Sequence, residues 1–239
     1  MSSSVTPVGN TLLAALPRQE YKQLVPALEP VTLSLGDIIY ASGGHLGYLY
    51  FPVTAIVSLV YTMEDGATVE MGLVGKDGVV GIALFMGGET TPNRGIVQIA
   101  GSAYRLPAKL LRAEFKRGGP LQLLLLRYTQ ALITQMSQTA VCNRVHALEQ
   151  RLCRWLLLCH DRVPSDELRM TQEFIANMLG GRRESVTVAA CHLQDLRLIH
   201  YSRGHIKILD RCGLEAAVCE CYRVVKAESD RLLGGATAL

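Results

Sequence analysis

The hydrophobic and polar positions change rhythm twice along the 239-residue chain. Over residues 11–29, Leu12, Leu13, Leu16, Tyr21, Leu24 and Leu28 recur at helical spacing, interrupted at Pro17 and closed before Pro30. Residues 1–30 therefore read as a helical lead-in. From Val31 the rhythm shortens. Apolar runs rich in β-branched and aromatic residues, at 31–35, 37–40, 48–51, 56–61, 68–74, 95–99 and 103–106, alternate with glycine-bearing turns such as Leu35-Gly36-Asp37 and Ser42-Gly43-Gly44. Many short strands at near-regular spacing predict a β-sandwich or jelly roll over residues 31–118, with Asp65-Gly66 marking a hairpin.

Gly118-Gly119-Pro120 ends that regime, and no glycine or proline follows until Pro164. Proline suits the first turn of a helix. Leu121, Leu125, Tyr128, Leu132, Met136 and Ala140 then fall three or four apart, with Arg127, Gln130, Gln135 and Gln138 off the stripe. This predicts a long helix over residues 119–143. Its stripe could lie on the sandwich or pair with its twin in a dimer. The twin is favoured, because the helix outruns the ~20 Å of a typical strand. A second helix carries Val145, Leu148, Leu152, Trp155 and Cys159.

Residues 144–239 form the last unit. Thr171 is a plausible N-cap, with Gln172 and Glu173 in the first turn of a short helix over 172–179. Gly180-Gly181 ends it, and a second helix runs from near Arg182 to about Arg197. Residues 198–201, 202–204 and 205–209 then read as strand, turn and strand. The fold class expected is α+β: an N-terminal jelly roll, a long dimerisation helix and a C-terminal winged helix-turn-helix.

Composition narrows the function. Hydrophobic content of 49% with 19% charged residues describes a globular chain, not a disordered one. The apolar stretches fall short of a membrane span. The first seven residues lack the basic-then-apolar pattern of a secretory leader, so a cytoplasmic protein with no membrane partner is expected. A net charge of +3 is too small to decide on nucleic acid, which would need a local patch. The first half offers His45, no cysteine and no clustered carboxylates, so no enzyme is expected. All seven cysteines, from Cys142 onward, read as small buried hydrophobes. Cys219-x-Cys221, with Cys212 upstream, lacks the second pair of a zinc-finger spacing. On one helix, residues two apart also point in different directions. No metal site is expected.

The chemistry concentrates after Gly181. Major-groove recognition needs donors and acceptors on the first turns of the second helix. Arg182, Arg183, Glu184, Ser185, Thr187 and Val188 stand there. Arginine can contact guanine bidentately, and glutamate can accept from the cytosine amino group. Residues 182–211 hold six Arg or Lys against three Asp or Glu, plus His192, His200 and His205. Arg203, His205 and Lys207 fall on the hairpin, where a wing touches phosphate. Thr171, Arg182, Arg183, Glu184, Ser185, Thr187, His192, Arg203, His205 and Lys207 are the candidate DNA contacts. Against the bland reading of a solvated charged helix stand the short preceding helix, the glycine turn and the basic wing.

These elements, through the words "LSLGDIIYASGG", "VGKDGVVGIALFMGG", "MTQEFIANMLGGRRESVTVAACHLQDLRLI" and "YSRGHIKILD", resemble the bacterial regulators that include the cyclic-AMP receptor protein and the fumarate-nitrate regulator. The resemblance implies a homodimer formed through the 120–143 helix, a double-stranded DNA operator of two half-sites, and RNA polymerase as a further partner. It implies that Arg183 and Glu184 read a G·C pair, within a pattern whose last arginine is here Val188. Nucleotide-binding members carry Gly-Glu and later Arg-(Ser/Thr)-Ala. This chain has Gly81-Ile82 and Asn93-Arg94-Gly95, and isoleucine cannot accept a ribose hydroxyl. Gly81, Ile82 and Arg94 remain the effector candidates, with cyclic AMP not expected. The iron-sulfur variant needs N-terminal cysteines, which are absent, so no cofactor is expected. The rival is a winged-helix adaptor that docks a protein, which would lack the steep salt dependence of DNA binding.

Overall fold

The computed structural model describes residues 9–234; the leader pattern sought in the first seven residues lies outside them. The lead-in is two short helices, α1 (Thr11–Ala14) and α2 (Arg18–Leu24). Asn10, fully buried, caps α1 by accepting from the amides of Leu12 and Leu13. Its Nδ2 donates to the carbonyls of Pro52 and Gly78, both at 2.9 Å. One side chain thus satisfies a helix end and fastens it to the sandwich.

Seven strands follow: β1 (Glu29–Leu33), β2 (Ile38–Tyr40), β3 (Tyr48–Pro52), β4 (Ile56–Thr62), β5 (Thr68–Val74), β6 (Arg94–Ile99) and β7 (Gly101–Pro107). They form an antiparallel sheet ordered β1-β7-β3 facing another ordered β2-β6-β4-β5. Leu49, Phe51, Val57, Val97 and Leu106, none measurably exposed, fill the space between. The jelly-roll expectation matches this architecture, with strand ends displaced by one or two residues.

After α3 (Ala108–Arg117), the long helix α4 spans Pro120–Val145. Most of its stripe packs within the chain, where the length of the helix had favoured a twin. Leu121, Leu125, Tyr128 and Leu132 are buried in the chain's own sandwich core. Gln135 is buried as well, and its side chain exchanges hydrogen bonds with the backbone of Leu73 on β5. The large apolar residues left exposed on α4 are Leu126, Ile133, Val141 and Val145.

The last unit comprises α5 (Leu148–His160), β8 (Glu167–Arg169), α6 (Gln172–Leu179), α7 (Arg183–Asp195), β9 (Ile199–Ser202), β10 (His205–Ile208), α8 (Arg211–Ala217) and α9 (Cys221–Leu233). Its core includes Leu156, Leu157, Ile175, Val186 and Leu193, and is continuous with Ile56, Val60 and Leu73 on the outer face of the four-stranded sheet. The sandwich is therefore covered on that side. Ser58, Glu70 and Gln98 lie buried under the cover. The Trp155 indole donates to Glu70 Oε1 at 3.0 Å, and Ser58 donates to Gln98. Among the described residues, no helix is long and apolar enough to cross a membrane.

The turn between α6 and α7 also touches the sandwich. Gly180 has φ +59, and the Gly181 amide returns to the Ala176 carbonyl at 2.9 Å, closing the end of α6. A Cβ on Gly180 would stand 2.7 Å from Val69 Cγ2 of β5. Gly180→Ala is expected to cost about 1–2 kcal/mol from the left-handed backbone alone, with the Val69 contact adding to it. Urea unfolding of Gly180→Ala, Val69→Ala and the double variant checks this: Val69→Ala should relieve part of the loss, leaving the backbone share. At Gly181, Leu148 Cδ1 of α5 lies 3.2 Å from the position a Cβ would take. The α5 side chain supplies the apolar contact that the turn itself lacks.

Candidate nucleic-acid interface

Three segments converge on an open cleft of about 440 Å³ lined by Thr171, Gln172, Glu173, Arg183, Tyr201, Arg203 and Gly204. They are the start of α6, the start of α7 and the tip of the hairpin. Thr171 caps α6, its hydroxyl accepting from the Phe174 amide at 3.2 Å. Arg182 is the N-cap of α7 but gives no side-chain cap, so the first amides of that helix have no side-chain acceptor from it. Such amides are suited to a phosphate oxygen. Arg183, Glu184 and Ser185 occupy the first turn and are exposed, while Val186, Ala189 and Leu193 on the opposite face are buried in the core. Val188 is 70% exposed.

The hairpin supplies the other wall. Ser202 and His205 pair across a two-residue turn in which Arg203 (φ +49) and Gly204 (φ +80) both take positive φ, the geometry that matches strand twist. Ile206 and Ile208 point into the core, and His205 and Lys207 alternate outward with Arg203 at the tip. β8 pairs with β10 on its other edge, setting the exposed Arg169 opposite His205. Sequence reasoning missed this third strand, because only three residues of Glu167–Arg169 take part.

Two placements differ from a uniform reading edge. The Thr187 hydroxyl donates to Gln172 Oε1 at 2.9 Å and lies 3.0 Å from the Arg183 carbonyl, so it ties α7 to α6. His192 stands nine residues beyond Arg183, about 13 Å along the helix at 1.5 Å per residue. Its Nδ1 is 2.6 Å from Glu149 Oε2 on α5, away from the cleft. Tyr201 and Gln194, which the sequence did not single out, hold the hairpin to the helices. The Tyr201 hydroxyl donates to the Met170 carbonyl at 3.1 Å, and its amide donates to Gln194 Oε1 at 2.7 Å. Arg151 of α5 donates to the Leu179 carbonyl, closing the end of α6.

The sandwich holds a separate cavity of about 260 Å³, lined by Tyr40, Leu46, Leu59, Gly81, Ile82, Met86, Leu132 and Met136, with Thr90, Thr91 and Asn93 at one side. Gly81 has φ +113 and starts a single 3₁₀ turn through Ile82. Among the described residues, neither a carboxylate nor a cation lines it. Arg94, expected with Gly81 and Ile82, is not among the lining residues, and its Nε is buried with no partner among the described residues. On β6 it opposes Val60, whose side chain faces the outer side of the sheet.

A sandwich with an apolar cavity, a long helix and a winged helix-turn-helix together define a sensor-and-reader regulator. The cyclic nucleotide-binding domain matches residues 30–117, and the Crp-like helix-turn-helix domain matches residues 150–217. The two matches span more than half of the chain in this order, and the chain belongs to the CRP/FNR family of transcriptional regulators. Solved structures agree on the fold. A CRP/FNR-family regulator from Thermus thermophilus is 23% identical, with TM-score 0.61 over 79% of this chain and 97% of that one. FixK2 from Bradyrhizobium japonicum is 17% identical, with TM-score 0.67 over 80% and 98%. The c-di-GMP responsive global regulator CLP of Xanthomonas campestris is 15% identical, with TM-score 0.63 over 80% and 99%. No curated protein sequence matches the chain.

Proposed function

We propose that the chain acts as a homodimer that reads a two-fold symmetric DNA operator through α7. The observation that carries this reading is the cleft where Arg183, Thr171 and Arg203 meet at the exposed start of that helix. Arg183 and Glu184 would take the edges of a G·C pair. Arg182, Ser185, Arg203, His205 and Lys207 would hold phosphate. Val188 has no hydrogen-bonding group and would instead lie against a thymine methyl. Thr187 would position α7 through Gln172, and His192 would fix its far end through Glu149. Neither needs to touch DNA.

The second copy would pack along the free side of α4. Leu126, Ile133 and Ala140 are exposed there seven residues apart, the repeat of a coiled-coil seam. Residues 120–143 would thus serve both partners, one face in cis and one in trans. The reading includes no catalysis and no iron-sulfur cluster. It places the protein with DNA and RNA polymerase in the cytoplasm.

The effector would be uncharged and largely apolar. A cyclic nucleotide brings a phosphate anion into a cavity that no cation lines, and burying that charge unpaired is costly. Leu132 and Met136 of α4 form part of the cavity wall, while the intervening Gln135 holds β5. A ligand there would bias the two arrangements of the dimer only through unequal affinity for them. Selection of bound duplexes from a random pool tests the reading. Two inverted half-sites with centres about 34 Å apart are expected. Recovery of no common sequence contradicts it.

A further inference from the structure

Four residues from two distant stretches meet where α4 ends. Cys142 is on the last turn of α4, His146 is its C-cap, and Cys219 and Cys221 bracket the start of α9. Their ligating atoms all lie within 4.8 Å of one another. Cys142 Sγ is 3.6 Å from Cys219 Sγ, and Cys221 Sγ is 3.6 Å from His146 Nδ1. We propose that Cys142, His146, Cys219 and Cys221 bind a single zinc ion that fastens the α8–α9 pair to the end of the long helix. The proposal stands independently of what α7 reads.

The Cys142–Cys219 and Cys221–His146 spacings are those of neighbouring ligands on a tetrahedron around one ion. Zinc takes thiolate sulfur at ~2.3 Å and imidazole nitrogen at ~2.0–2.1 Å, which sets neighbouring sulfurs ~3.8 Å apart and sulfur to nitrogen ~3.6 Å. A disulfide would need ~2.05 Å between the sulfurs. A multi-iron cluster would hold its ligands farther apart than one ion does. Three cysteines and one histidine, with no carboxylate in the set, favour zinc over magnesium, calcium or manganese. The sequence objection, that residues two apart on one helix diverge, does not apply. α8 stops at Ala217, Val218 is extended (ψ 151), and Cys219 sits off the helix that Cys221 begins.

The surroundings suit an ion. Glu220 Oε2 is 3.4 Å from His146 Nε2, so a carboxylate stands at the ring nitrogen opposite the proposed ligand atom. That arrangement orients metal-bound histidines. Three thiolates around Zn²⁺ leave one negative charge. The buried Arg154 acts electrostatically on Cys142 and Cys221 and would balance it. The three sulfurs are buried, and His146 is part-exposed, which leaves an entry side. Buried cysteines alone would pass as small apolar side chains. A histidine nitrogen among them, backed by a carboxylate, is not explained by packing.

The location gives the ion a mechanical part. His146 and Ala147 are extended and join α4 to α5, so the backbone break between sandwich and reader lies at the site. α9 then returns to pack along α4. The test uses the reduced full chain equilibrated with zinc and dialysed, with metal per chain read by mass spectrometry. About one zinc per chain is expected. Cys142→Ser and the Cys219→Ser/Cys221→Ser double variant should retain less than a tenth of it, with helical circular dichroism unchanged. Cys191→Ser and Cys212→Ser, whose thiols are exposed elsewhere, should retain all of it. Independently of any variant, zinc should raise the melting temperature of the wild type, and a chelator should reverse this. Wild type that binds no zinc, cluster variants that bind as well as wild type, or a Cys142–Cys219 disulfide recovered from chain kept reduced would each overturn the assignment.

Discussion

Trp155→Ala is expected to lower the stability of the chain by about 3–5 kcal/mol, the usual cost of deleting a buried large aromatic side chain. Trp155 is 2% exposed and sits where the helical unit meets the outer face of the four-stranded sheet. The substitution empties that contact and takes away the indole donor to Glu70 Oε1. Glu70 Oε2 already has no partner among the described residues, so the variant leaves a buried carboxyl without a hydrogen bond from Trp155. Urea unfolding followed by circular dichroism measures the loss. A cost under about 1 kcal/mol would mean that the two units do not share a core.

Glu70 itself carries the second large effect. Burial pushes its carboxyl from 4.5 up to about 7, with the neighbouring Ser58 hydroxyl, the hydrogen bond from Trp155 and the charges of Arg154 and Arg162 offsetting only part. The folded state holds the proton more tightly than the unfolded one. The contribution to stability is therefore fully present below the ordinary carboxylate range and is lost as pH rises through 7. At about 1.4 kcal/mol per pH unit, the difference amounts to roughly 3 kcal/mol. Glu70→Gln keeps an oxygen for Trp155 and removes the titration. Urea unfolding at pH 5 and pH 8 should find the variant near wild type at the lower pH and about 3 kcal/mol more stable at the higher one. Parallel pH curves would contradict the buried carboxyl.

Much of this architecture was legible along the chain, and the failures have specific causes. The seven strands announced themselves through β-branched runs between glycine turns. The helix pair, its glycine turn and the hairpin did so through capping and period. The face of α4 did not. Leu121, Leu123, Leu124, Leu125 and Leu126 put apolar side chains on every side of its first turns, so periodicity named a stripe without saying which neighbour covered it. The structure gives Leu125 and Leu132 to the sandwich and leaves Leu126 and Ile133 outside. Ser58, Glu70 and Gln98 look like the solvent side of a half-buried sheet, and only tertiary docking buries them. The break at His146-Ala147 contains neither glycine nor proline, so no local signal marks it. The cysteine and histidine group joins positions more than seventy residues apart, which spacing rules for local motifs do not see.

The candidate reading edge was the most legible part, because Arg183, Glu184 and Ser185 follow directly from the turn that exposes them. The structure separated residues that face the cleft from those that brace the helix. Thr187 and His192 share the sequence neighbourhood of Arg183, but their partners are Gln172 and Glu149.

The most direct test of the account compares wild type and Arg183→Ala on a selected duplex and on every single base-pair substitution of one half-site, at one fixed salt concentration. The account predicts that the variant loses ~1–3 kcal/mol of discrimination at one G·C pair and keeps its preferences elsewhere. A variant that binds every duplex more weakly by the same factor would make Arg183 a phosphate contact. A variant with an unchanged sequence preference would remove α7 as the element that reads DNA.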